Sequence, residues 1–291
     1  MEGNQNDITN ERVRGTYQWL PVIGLVMLGL IWLWGSVIVP GGRQTKSGGG
    51  VSDSNGNDTE LSGVLRLSGS SSMEKLTSVA AEGFMDKYPN VTVTVEYIGS
   101  SAGIEAVLNG SADIGNSSRF LKEEEREKGA VGHVVAMDGI AICVDPANSV
   151  EELTLAQVAE IYTGKIINWS ELGGEELPIV VIGHEAGSGT RASFESLLGI
   201  EDVCTYGNEL NSGGAVMARV AMTPGAVGYI SFDIVNDLVN TVSIDGVEPG
   251  AENVKDGSYP LCRPFVMVTK GDSEKENRLV RAWFTYLESL R

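Results

Sequence analysis

Short hydroxyl side chains recur next to glycine at the starts of helical patterns. Gly69-Ser70-Ser71-Ser72 precedes one such pattern, Gly99-Ser100-Ser101-Ala102-Gly103 a second and Gly187-Ser188-Gly189-Thr190 a third, while Asn116-Ser117-Ser118-Arg119 closes a short strand pattern. The first turn of a helix has N–H groups without intrahelical partners and carries partial positive charge. Ser and Thr place short donors beside those N–H groups, and glycine lets backbone approach a ligand closely. Taken singly, each hydroxyl reads as an ordinary N-cap. Their recurrence in one short stretch of chain makes a neutral cage for a tetrahedral anion the sharper reading.

Other chemistries find less support. Ser72-Met73-Glu74-Lys75 fits the S-x-x-K pair of serine acyl-transferases of the penicillin-binding type, but no K-T-G follows it. His133 and His184 are the only histidines, and neither accompanies a G-x-S-x-G elbow. There is no Walker A motif, so ATP hydrolysis is not expected. Cys143, Cys204 and Cys262 have neither CxxC nor Cys/His spacing, so no metal and no cofactor are expected. An odd count allows one internal disulfide at most. Cys143 and Cys262 both sit in apolar runs and could be neighbours, with buried free thiols the preferred reading. The net charge of −18 argues against nucleic acid and anionic lipid as partners. It does not argue against a small anion held by local N–H dipoles.

The elements that carry these turns alternate. Val64–Leu67 reads as a strand, and Met73, Leu76, Ala80 and Phe84 share one helix face before Pro89. Val91, Val93, Val95 and Tyr97 alternate as a half-buried strand. A helix over 104–108, a strand over 112–115 and a charged helix over 122–128 follow. The stretch 131–144 reads as one or two strands broken near Asp138-Gly139. Thr154 caps a helix to Tyr162; a strand over 179–182 precedes the helix 191–198. Gly213-Gly214 opens another helix to Met222, 227–230 and 265–268 are strands, and a final helix runs over 273–290. Strands alternating with helices mean an α/β fold, and no internal repeat is visible.

Residues 1–18 form a short polar N-terminus. Residues 19–39 are apolar without a charge, long enough at ~20 residues to cross a bilayer, with Trp19, Trp32 and Trp34 at interfacial positions. An uncleaved anchor in the cell membrane is expected, with a cleaved signal peptide as the alternative; no A-x-A-like site follows. Residues 40–62 are a Gly/Ser/Asn-rich flexible linker.

From residue 63 onward the chain resembles the phosphate-binding proteins of ABC importers, in their Gram-positive and archaeal style. The matching stretches include the four turns above, together with Asp138-Gly139-Ile140-Ala141, Tyr162 through Trp169 and Pro224-Gly225-Ala226-Val227-Gly228-Tyr229. The resemblance implies a two-lobed periplasmic-binding-protein type II fold that closes on inorganic phosphate by hinge motion. It also implies an extracytoplasmic location on the outer face of the membrane, with a permease and an ATPase subunit as partners. Lobe 1 is expected over 63–142 plus 231–291 and lobe 2 over 143–230. Ligand contacts are expected from Ser70, Ser71, Ser72, Ser100, Ser101, Ser118, Arg119, His184, Ser188, Gly189 and Thr190, whereas Trp169 is expected to pack within a lobe. Two positions depart from the family pattern. Ser118 stands where some members carry a carboxylate that accepts the proton of hydrogen phosphate. His184 stands where many carry arginine, which predicts an affinity that falls as pH rises through the histidine pKa. Sulfate, molybdate or tungstate is the alternative ligand.

Overall fold

The computed structural model describes residues 61–272 and 277–290. The expected N-terminus (1–18), the membrane segment (19–39), nearly all of the linker (40–62) and the start of the expected last helix lie outside the described residues. Among the described residues no helix is long and apolar enough to cross a membrane.

β1 (Gly63–Gly69) buries Leu65 and Leu67 and runs into a 3-10 turn at Ser71–Met73 and then α1 (Glu74–Lys87). β2 (Val91–Glu96) alternates buried and exposed residues and lies parallel to β1. α2 (Ser100–Leu108) returns the chain to β3 (Ile114–Ser117), parallel to β1 on its other side. The C-terminal ends of β1 and β3 therefore meet at one edge, which is where these sheets expose their ligand-binding turns. α3 (Glu123–Glu127) precedes β4 (Ala130–Val144), a strand of 15 residues.

Beyond β4 come β5 (Glu152–Leu153), α4 (Leu155–Tyr162), β6 (Val180–His184), α5 (Gly189–Leu198), β7 (Asn208–Leu210), α6 (Gly213–Ala221) and β8 (Ala226–Ser231). Thr154 caps α4 as expected, accepting from Gln157 N at 3.1 Å in a capping box. The chain then passes β9 (Asn240–Thr241), β10 (Ser243–Ile244), α7 (Ala251–Lys255), β11 (Cys262–Lys270) and α8 (Arg278–Ser289).

The sheet order is β2-β1-β3-β11-β4-β8-β6-β7. β4 joins its two halves without the expected break. Residues 130–139 pair antiparallel with β11, and residues 140–144 pair antiparallel with β8. One strand thus changes partner at Gly139/Ile140 and belongs to both lobes. The first lobe closes over Leu65, Leu67, Met73, Phe84, Met267 and Trp283. The second closes over Ile142, Val158, Trp169, Phe194, Val227 and Tyr229.

The expected lobe boundaries are corrected on both sides. Ile140 and Ile142 pack in the second core, and so do Val242, Ile244, Tyr259 and Leu261. β9 pairs with β4, β10 pairs with β5, and Tyr259 Oη donates to the Ile140 carbonyl at 2.9 Å. The return crossing is therefore at Leu261/Cys262 and not near residue 231. The strands of this segment are two residues each, too short to carry a periodicity that assigns them to a face.

Candidate functional site

Five of the expected site hydroxyls meet where the lobes face each other. Ser70, Ser72, Ser100, Ser118 and Thr190 are all buried, Ser100 and Ser118 completely. Ser70 leaves β1 and caps the following turn, accepting from Ser72 N at 3.3 Å, while its own Oγ donates to Ser118 Oγ at 2.9 Å. Ser118 N donates to Ser100 Oγ at 3.1 Å, which ties the end of β3 to the start of α2. Gly69 has a φ of 143° and lies against the Asn116 backbone, so only glycine allows β1 and β3 to end this close together.

The second lobe contributes the start of α5. Ser188 caps it by accepting from Arg191 N at 3.3 Å. Ser72 Oγ and Thr190 Oγ1 are 2.8 Å apart across the cleft. A Cβ on Gly189 would overlap Ser100 Oγ and Ser118 Oγ, so this glycine backbone reaches into the first lobe's hydroxyl cluster. Ser193 Oγ donates to the Ser118 carbonyl at 2.9 Å, and Ser101 N donates to the Gly187 carbonyl at 3.2 Å. Ser71 and Ser188 stand at the rim, partly exposed. The hydrogen bonds that join the five buried side chains run between hydroxyls and backbone N–H groups. Hydroxyls rotate, so groups now bonded to one another also donate to an anion placed between them.

The charged candidates sit elsewhere. Arg119 donates from Nη2 and Nη1 to the two oxygens of Glu125 at 2.7 and 2.9 Å, to the Phe120 carbonyl and to Ser101 Oγ at 3.2 Å. Burial works against the Glu125 carboxylate, yet the hydrogen bonds and charge of Arg119 bring it below its ordinary range. Arg119 thereby braces the α2 turn through Ser101. Arg191 binds Glu195 and Glu209 and donates to the His184 carbonyl at 3.0 Å.

His184 is held within the second lobe. It is buried, its Nε2 lies 3.0 Å from the Tyr229 carbonyl, and its ring rests 5.1 Å from the Tyr229 ring. Burial brings its pKa down to about 4, with Arg263 and Arg191 adding to the fall. Burial thus keeps the imidazole neutral at pH 7 beside Tyr229.

Trp169 packs in the second core and donates from Nε1 to the Gly225 carbonyl at 3.0 Å. The S-x-x-K pair does not form a catalytic dyad: Lys75 Nζ is directed at the Asp233 carbonyl, 3.3 Å away. Cys143, Cys204 and Cys262 are free. Burial holds the Cys143 and Cys262 thiols up at about 12 and that of Cys204 at about 11, which keeps them protonated and unreactive. Among the described residues no cluster of His, Cys, Asp or Glu suits a metal.

The sequence reading missed two things. Ser193 lies a full turn into α5, outside any glycine-rich signal. Asp138, Ser231 and Arg263 form a buried knot at the crossing strands. The signal for it was a lone arginine within the apolar run Leu261 to Val268.

A fold of two α/β lobes joined by crossing strands, with polar turns of both lobes facing one cleft, defines the class of proteins that close around a small solute. The chain belongs to the PBP superfamily domain family, which matches residues 50–289. It is 39% identical over 243 residues to the phosphate-binding protein PstS of Bacillus subtilis, covering 82% of this chain and 79% of that one. Among solved structures, one from Clostridium perfringens, described as a phosphate ABC transporter substrate-binding protein with bound phosphate, is 39% identical. It superposes with a TM-score of 0.74 over 77% of this chain and 93% of its own. An ABC-type phosphate transport receptor from Vibrio cholerae is 34% identical, with a TM-score of 0.65 over 77% and 93% of the two chains.

Proposed function

We propose that this protein is the extracytoplasmic substrate-binding component of an ABC importer, and that it holds inorganic phosphate between its lobes. The observation that carries the reading is the buried Ser70, Ser72, Ser100, Ser118 and Thr190 cluster, assembled from both lobes around the start of α5. The relatives named for phosphate binding and the phosphate-bound neighbour support the choice of ligand. Ser70, Ser71, Ser72, Ser100, Ser101, Ser118, Ser188, Gly189 and Thr190 form the proposed ligand set; Arg119 and His184 leave it. Hydroxyl and helix N-terminal N–H donors stabilise the anion, and lobe closure excludes water, which strengthens each of those bonds. Delivery to a separate permease and ATPase follows from the importer role, and the protein itself is not an enzyme.

Residues 19–39 are proposed to anchor the chain in the cell membrane, with the binding domain outside. Resistance of the full-length protein to extraction at alkaline pH, with protease access from outside the cell, tests this; release into solution rejects the anchor.

Titration calorimetry of the full-length protein, stripped of ligand, tests the function. Phosphate is expected to bind with micromolar or tighter affinity and to resist displacement by excess sulfate. Absence of heat with phosphate, alongside tight binding of sulfate or molybdate, rejects phosphate and retains an oxyanion site.

A further inference from the structure

Two hydrogen bonds join the lobes directly at the margins of the hydroxyl cluster. Ser193 Oγ donates to the Ser118 carbonyl at 2.9 Å, and Ser101 N donates to the Gly187 carbonyl at 3.2 Å. In both, the first lobe contributes a backbone group at the end of its element. Ser118 directly follows the last residue of β3. Ser101 lies in the first turn of α2, where an N–H has no partner in its own helix. Each group is therefore paired by the second lobe when the lobes meet and by water when they part.

Ser193 follows Thr190 by three residues and Gly189 by four, so all three share the face of α5 that meets the first lobe. Gly187 precedes the same pair. The stretch that carries Gly189 and Thr190 into the cluster is thus pinned to the first lobe on both sides. Ser193 and Ser118 are buried, Ser118 completely. A serine within a helix commonly turns back to a carbonyl of its own helix. Ser193 instead commits its hydroxyl hydrogen to the other lobe, so that hydrogen is not offered to an anion.

We infer that Ser193 is a positioning residue: a latch that stabilises lobe closure and sets the rate of ligand release without choosing the ligand. The inference rests on the phosphate reading above for the solute released. Its physical basis is an asymmetry between the two forms. Without the Ser193 hydroxyl, the Ser118 carbonyl is buried and unmatched in the closed form, whereas water reaches it in the open form. Loss of the hydroxyl therefore penalises the closed form alone and shifts the population toward the open one. Both ends of the bond are protein, so the penalty is the same whichever oxyanion fills the cleft.

The test compares wild type with Ser193→Ala in the full-length protein. Release is timed by chasing bound radiolabelled phosphate with excess unlabelled phosphate, and association by rapid mixing. The variant is expected to release phosphate about tenfold faster, with an unchanged association rate and an unchanged ratio of phosphate to sulfate affinity. Its ligand-free melting temperature is expected to stay close to wild type, because neither lobe's core is touched. Hydrogen exchange at the Ser101 amide, read with and without phosphate, reports closure through the neighbouring bond and is expected to accelerate in the variant. Equal Ser101 exchange in the two proteins under both conditions overturns the inference, as does an unchanged release rate. A changed phosphate-to-sulfate ratio also overturns it, since that makes Ser193 a ligand contact. A wild type that binds no phosphate rejects the functional reading, while the ligand-free exchange still decides the latch.

Discussion

Ser72 Oγ lies 2.8 Å from Thr190 Oγ1, a contact between lobes made by residues 118 positions apart. Each hydroxyl stands at the start of a helical turn, so the contact brings two groups of unpaired N–H donors toward one point. Ser72→Ala removes one hydroxyl from the cluster without touching either lobe's apolar core. Phosphate affinity is expected to fall about tenfold, the equivalent of about 1.4 kcal/mol. Calorimetry checks this, and an unchanged dissociation constant removes Ser72 from the ligand set.

Gly189 brings the second lobe's backbone against Ser100 and Ser118. Gly189→Ala places a methyl group inside the hydroxyl cluster, where neither serine has room to withdraw because both are fully buried. The variant is expected to fold and to lose phosphate affinity by about a hundredfold or more, near 2.8 kcal/mol. Small-angle scattering with saturating phosphate is expected to show a less closed particle than wild type. Wild-type closure and affinity in this variant would sink the proposed position of the ligand.

The pH dependence of stability follows from His184. In the unfolded chain it takes up a proton near pH 6.5, whereas in the folded chain burial delays this to about pH 4. Between those values the unfolded state binds more protons, so stability contributed by the neutral ring is complete above pH 6.5 and is lost as pH falls toward 4. The groups facing the ring are the Tyr229 carbonyl on β8, Arg263 on β11 and Arg191 on α5, and both arginines oppose protonation. The full effect is about 3 kcal/mol. Asp138, raised to about 6 chiefly by burial, works in the opposite direction below that pH. Urea unfolding of wild type and His184→Gln at pH 7.5 and 5 isolates the histidine. The acid-side loss is expected to shrink in the variant, while phosphate affinity near neutrality shows no titration from this group.

Glu125 sits opposite Arg119 with both side chains largely buried, at 12% and 6% exposure. Glu125→Ala leaves the guanidinium without its carboxylate and is expected to lower stability by about 3 kcal/mol. The folded carboxyl titrates below its ordinary value. Its contribution is therefore present above the ordinary carboxylate range and is lost as pH falls through the lowered folded value. Phosphate affinity is expected to change much less than stability, because Arg119 braces the Ser101 turn from outside the hydroxyl cluster. Denaturant melts paired with calorimetry separate the two effects, and a selective loss of affinity would return Arg119 to the ligand set.

Much of the local structure was legible because its causes are local. The alternation of Val91, Val93 and Val95 reports one buried strand face, and the Thr154/Gln157 capping box needs only the four residues it spans. The hydroxyl turns at Ser70 and Ser188 cap their own helices, so the same short-range hydrogen bonds that made them visible also hold them in place. Periodicity names the face that is buried but not the neighbour that buries it. For that reason β4 read as broken near Asp138-Gly139, when in fact the strand continues and changes partner there.

The sequence by itself determined the α/β class, the hydroxyl-rich turns, the helix caps and the likeness to phosphate-binding proteins, since these depend on residue type within a few positions. Tertiary structure alone decided that residues 242–261 pack with the second core, that Arg119 turns to Glu125 and His184 to Tyr229, and that Arg263 turns to Asp138. Each of those outcomes depends on which partner is available across a long stretch of chain. The orientation of a polar side chain follows the strongest hydrogen-bond partner within its reach, and its reach is fixed only once the strands have paired.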